Sequence, residues 1–254
     1  MDGIITNTTK DYSTFYIENL STELKNNIRM ELVAICHGEK NRNSTLSSHS
    51  INSTIEELLK RYPDDDKKKK GFIGELLLNI IIRNYYDYEV VSPFFNKEEA
   101  SSAKKGFDII LYDNLDGSVW ITESKAGEVT TQNIDQKMQE RLTVAERDLN
   151  TRLNESNQTI WLNALLDVDL SMNESDEKMI VQSILDRGKI ETSNKFNVAL
   201  GGIVFHSMAD KFSESTIIDK TTRVIDSGKF SKVKVISIQK GTYKKVEDYL
   251  RELV

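Results

Sequence analysis

The chain is predicted to fold as an α/β protein, with a mixed central sheet flanked by helices and a mostly helical segment ahead of it. Three observations predict this. From residue 71 the pattern runs helix, three strands, helix or helices, strand, an αβββαβ order that sets a sheet between helical layers. Residues 107–125 alternate with period two on both sides of a short turn. Gln132 to Leu153 places Ile134, Met138, Leu142, Ala145, Leu149 and Leu153 on one stripe of an amphipathic helix.

The elements are read in order. Ser21 to Ile35 is a helix capped by Ser21 or Thr22, with Leu24, Ile28, Leu32 and Ile35 on its apolar face. Asn41 to Ser53, rich in Ser and Asn, is a loop, and Ile51 to Arg61 a short helix. The charge run from Pro63 to Lys70 is read as a solvated linker, dividing an accessory or partner-docking segment (1–66) from the main domain (67–254). Phe72 to Tyr86 is apolar nearly all round, so that helix is expected to be packed on several sides. Tyr88 to Phe95 is a strand broken at Pro93, hence at a sheet edge. Asn114 to Gly117 joins the two strands that follow as a hairpin. Thr130 or Thr131 caps the long helix, and 157–187 holds two more helices split near Asp169 to Asp176. Asn197 to Phe205 and Val233 to Gln239 are strands, and Val246 to Val254 is a last helix. Gly201-Gly202 inside a strand marks a bulge or a close backbone approach.

Composition narrows the function. One cysteine, Cys36, excludes an internal disulfide framework and fits a reducing compartment. No apolar run nears the roughly 20 residues that span a bilayer, and no signal peptide opens the chain, so a cytoplasmic protein without membrane contact is expected. A net charge of −6 argues against a broad basic surface that grips nucleic acid alone, though a metal site needs carboxylates and a partner can supply phosphate contacts. No GxxxxGK[ST] loop or GxSxG elbow is present, so the chain is not itself an ATPase. Cys36, His37 and His49 are too few for zinc, and His206 is read as a satisfied strand-end histidine.

The chemistry concentrates in 105–125. Asp108 stands at the start of one strand, and Glu123 and Lys125 share a face of the next. Glu75 is an acid in a helix otherwise fit for burial, where a charge is costly unless paired or bound to metal. Glu75, Asp108 and Glu123 suit a hard cation, Mg²⁺ or Mn²⁺, and Lys125 suits the activation of water or the neutralisation of charge on a phosphate. The competing reading is plain: Asp108 in a turn network, and Lys125 in an ordinary ion pair with Glu123. Gln136 and, less so, Lys137 are candidates for positioning phosphate or water at the start of the following helix; Gln132 shares that place.

Glu75, Asp108 and Glu123-Ser124-Lys125, in this order, resemble the PD-(D/E)XK nuclease superfamily, whose restriction-endonuclease-like core has the same αβββαβ order. Phe107 stands where that pattern has proline. Over roughly 67–205 the chain is more closely similar to the HamA family, the nuclease subunit of the Hachiman anti-phage system. That likeness is carried by Gly74-Glu75-Leu76-Leu77, Lys105-Gly106-Phe107-Asp108 and Trp120-Ile121-Thr122-Glu123-Ser124-Lys125. The first 60 residues carry no resemblance. What the resemblance implies is a metal-dependent DNA endonuclease acting with a helicase partner that restrains or delivers it, and leaving a 5′-phosphate and a 3′-hydroxyl. The alternatives are a free-standing restriction-type endonuclease, or a silent nuclease-fold subunit that binds DNA or a partner.

Overall fold

The computed structural model describes residues 1–97, 106–155 and 158–254. One seven-stranded mixed sheet organises them, in the order β1-β2-β7-β6-β5-β4-β3. The strands are β1 (Ile4–Thr8), β2 (Tyr12–Ile17), β3 (Tyr88–Val90), β4 (Ile109–Asp113), β5 (Val119–Glu128), β6 (Asn197–Phe205) and β7 (Lys232–Lys240). The helices are α1 (Thr22–His37), α2 (Ile51–Lys60), α3 (Asp66–Tyr85), α4 (Ile134–Asn154), α5 (Gln158–Ser171), α6 (Asp176–Arg187), α7 (Glu214–Asp226) and α8 (Lys244–Glu252). The three strands β5, β6 and β7 run parallel, and β2 joins β7 in the same sense. The outer pairs β1–β2, β3–β4 and β4–β5 are antiparallel.

Two apolar cores lie on the two faces of this sheet. One gathers α1, α2, α3 and α8 against Phe15, Ile109, Leu111, Trp120, Ile203 and Ile236. The other gathers α4, α5, α6 and α7 against Ile110, Ile121, Val198, Leu200 and Val235. Period-two alternation along β4 and β5 therefore assigns each side chain to a core. The helix at 66–85 is buried from Phe72 to Ile82, as its all-round apolar pattern predicts.

Several expectations need correction. The charge run at 63–70 is not a linker: Asp65 caps α3 through its side chain, which accepts from Lys68 N at 2.9 Å, and the lysines form the first turns of the helix. An acid cap at a helix N-terminus satisfies an orphan amide and suits the dipole there, so the run is helical punctuation. The mostly helical segment 1–66 carries α1 and α2 but also β1 and β2, which extend the sheet. Asn133, not a threonine, caps α4, accepting from Gln136 N at 2.8 Å. The helix α7 was not anticipated. Strand β3 does close one edge of the sheet, as Pro93 implied.

Gly201 and Gly202 sit in regular register opposite Ser124 and Lys125, without a bulge. A Cβ at Gly201 would stand 2.8 Å from Leu78 Cδ2 of α3, and one at Gly202 2.7 Å from Met138 Sδ of α4. The pair lets both helical layers press onto the sheet beside the acidic segment of β5. That is the close approach the sequence suggested.

Candidate functional site

The site grows from a mismatch in strand length. Strand β4 pairs with β5 only over Val119–Thr122, whereas β5 continues beside β6 to Glu128. Beyond Thr122 no described strand pairs with the β4 side of β5, and Asp108, just before β4, lies there. Its Oδ2 accepts from Ser124 N at 2.8 Å and Ser124 Oγ at 2.9 Å. Here the alternation expected from Phe107 onward breaks. Phe107 belongs to the α4-side core and Ile109 to the α3-side core, so the chain turns at Asp108 and the strand starts only at Ile109.

Glu123 follows the period-two rule and faces α4. It has no exposed surface. Oε1 accepts from Lys125 Nζ, and Oε2 from Arg152 Nη1 at 2.7 Å. Burial first, then the neighbouring Asp108, pushes the Glu123 carboxyl up to about 7, although Lys125 and Arg152 pull the other way. Lys125 also meets Asp148 Oδ2 of α4 at 3.3 Å. Its burial favours the neutral amine, but Glu123, Asp108 and Asp148 outweigh that and hold its pKa above the ordinary lysine value.

Glu75 is buried in α3, 4% exposed. Its turn of helix lies on β5, because a Cβ at Gly74 would come within 2.6 Å of Ala126 Cβ. Ala126 and Glu123 differ in strand parity, so Glu75 approaches from the α3 face and Glu123 from the α4 face. Among the described residues, no three His, Cys, Asp or Glu side chains are grouped to hold a metal ion. Asp108 and Glu123 nevertheless have the donor chemistry a hard cation takes. They are buried carboxylates, one just before β4 and one in the middle of β5, the latter already held between two cationic side chains.

The remaining expectations divide. Lys105, in the 105–108 motif, lies outside the described residues. Gln132, just before α4, and Lys137 in its first turn both donate to Glu140 Oε2, at 2.6 and 3.0 Å, and Gln136 is exposed. Cys36 is fully buried and its burial pushes the thiol up. His206 pairs with Asp210 Oδ2 at 3.1 Å. A pocket of about 730 Å³ is lined by His37, His49, Lys60, Arg61 and Phe95 among others, but by none of the four predicted site residues. Sequence reasoning missed Ser124, Asp148 and Arg152. The last two are four apart on α4 and immediately precede the buried Leu149 and Leu153, so a charged pair bordering an apolar stripe was the available signal.

The family model for HamA matches residues 2–252, nearly the whole chain. The chain belongs to the HamA family. HamA is the nuclease-like family of the Hachiman system, and membership marks this chain as a component of anti-phage defence. The match takes in the first 60 residues, which by sequence alone resembled nothing; that agrees with their place in the shared sheet. No match to a curated protein was found. No helix among the described residues is long and apolar enough to cross a membrane.

Proposed function

We propose that this HamA-family chain is a metal-dependent DNA endonuclease with a PD-(D/E)XK core, serving in Hachiman defence beside a helicase partner. The observation that carries the reading is the meeting of Asp108, Glu123 and Lys125 where β5 outruns β4. The element order α3-β3-β4-β5-α4, with β6 parallel to β5, supports it.

Asp108 and Glu123 would hold the divalent cation. A bound Mg²⁺ would supply Lewis acidity toward the scissile phosphate. Lys125 orients the attacking water and offsets charge that builds on the phosphate oxygens. Asp148 keeps the ammonium aimed, and Ser124 fixes the Asp108 carboxylate through two hydrogen bonds. Cleavage would leave a 5′-phosphate and a 3′-hydroxyl.

The test is cleavage of plasmid DNA by the purified chain with Mg²⁺, with EDTA and with Lys125→Ala. Cutting that needs metal and vanishes in the variant is the expected result. Equal cutting by the variant at matched purity overturns it. A second reading, a nuclease-fold subunit that binds without cutting, is favoured by the lack of a three-ligand group among the described residues. It requires no Mg²⁺-dependent turnover even when the helicase is present.

A further inference from the structure

Both oxygens of Glu123 are already taken. Lys125 Nζ donates to Oε1 and Arg152 Nη1 to Oε2, the latter at 2.7 Å. A metal ion uses the same oxygen lone pairs, so a guanidinium seated on one of them competes directly with it.

Arg152 is more than a passing neighbour of that carboxylate. It stands in the last turn of α4, where a basic side chain also suits the negative end of the helix. The same Nη1 donates to the carbonyl of Gly106 at 3.3 Å. One side chain thus ties α4 to the middle of β5 and to the residue two before Asp108. Asp148, one helical turn earlier, engages Lys125, so α4 pins both cations that cover Glu123. A guanidinium can exchange a carboxylate for phosphate oxygens, which offer it the same paired geometry.

We propose that Arg152 is a latch that keeps the Asp108–Glu123 site closed to metal until its guanidinium leaves Glu123, and that the phosphate backbone of incoming DNA draws it off. The proposal rests on the metal-dependent reading above and adds its regulation. Because the latch links metal to substrate, DNA should tighten metal binding, and removing Arg152 should abolish that coupling.

The test is Mn²⁺ affinity of the full chain, read by the electron paramagnetic resonance of free Mn²⁺, with and without a phosphorothioate duplex that resists cleavage. Arg152→Gln is expected to bind Mn²⁺ about tenfold more tightly than the unsubstituted chain, the equivalent of about 1.4 kcal/mol, and to show no further gain with DNA. Equal or weaker affinity in a variant that still melts cooperatively overturns the latch, because an arginine that merely supports Glu123 would weaken the site on removal. If Arg152→Gln does not fold, Arg152→Lys serves: its single ammonium does not reproduce the guanidinium fork, and a smaller tightening, about threefold, is expected. Equal or weaker affinity overturns the proposal there too. Asp108→Asn separates the two claims: a variant that binds Mn²⁺ as tightly as the unsubstituted chain refutes the metal site itself, whatever Arg152 does.

Discussion

Helix α4 carries one buried glutamate, Glu146, and packs on another, Glu123 of β5; each is held by two cations, and they behave in opposite ways. Glu146 accepts from Lys220 Nζ at 2.7 Å and Lys229 Nζ at 2.6 Å. Burial works to raise it, but the two lysines overcome burial and hold it below the ordinary carboxylate value. Glu123 also has two cationic partners, yet it is pushed up to about 7. The difference is the surroundings: Glu123 is wholly enclosed and has Asp108 beside it, whereas Glu146 keeps some solvent contact and has no such neighbour among the causes that shift it. Two cations suffice for one buried carboxylate but not for a pair. The first triad is a fastening between α4, α7 and the segment before β7; the second is a cluster with unmet demand for positive charge, which is how a functional site differs from a structural one.

That contrast can be broken by experiment. The largest expected effect is on turnover: Glu123→Gln should lower the initial rate of Mg²⁺-dependent plasmid cleavage about a thousandfold, and Glu146→Gln should leave the folded fraction's rate within a few-fold of normal. A loss below tenfold for Glu123→Gln would make it as structural as Glu146. Stability should reverse the ranking. Glu146→Gln strands Lys220 and is expected to cost roughly 3 kcal/mol in urea melts, while Glu123→Gln, which removes a strained charge, should cost less than about 1 kcal/mol at pH 8.

The pH slopes should also oppose. Glu123 is raised to about 7 from an ordinary 4.5, so its stabilising contribution is full below about 4.5 and is lost as pH rises through about 7. In EDTA, the unsubstituted chain should therefore lose on the order of 2–3 kcal/mol relative to Glu123→Gln between pH 5 and pH 8. Glu146 is depressed, so its contribution is present above the usual carboxylate value and lost as pH falls through its own. Parallel slopes for the two variants would show that burial and Asp108 together do not raise Glu123. Ser124→Ala, which removes one hydrogen bond to Asp108, should cost about 1 kcal/mol, read by thermal melting.

Legibility in the sequence followed the range of the interactions. Helices α3 and α4, the β4–β5 hairpin and the edge position of β3 declare themselves through local periodicity, turn residues and Pro93. So does the ion pair of Lys125 with Glu123, two residues apart on one strand face. What stayed hidden depends on distant partners. The strands β1 and β2 are short, and the partner that ties them to the sheet is β7, near the other end of the chain. Arg152 reads as one more charge on an amphipathic helix until α4 is laid across β5. The charges of 63–70 look like a solvated spacer because a helix start and a linker share the same polar composition; only the Asp65 cap tells them apart.

The seam between β2 and β7 sets Tyr12 beside Val235. During synthesis the β1–β2 hairpin leaves the ribosome long before the strand that will receive it, and a lone hairpin is marginally stable in water. Pairings between such distant segments form slowly, so the central sheet is completed only after β7 has been made. Strand β6, whose two glycines admit α3 and α4 to the acidic segment of β5, waits for β7 as its other neighbour. A chain cut short before β7 carries the residues of the site but leaves β6 without its second neighbour.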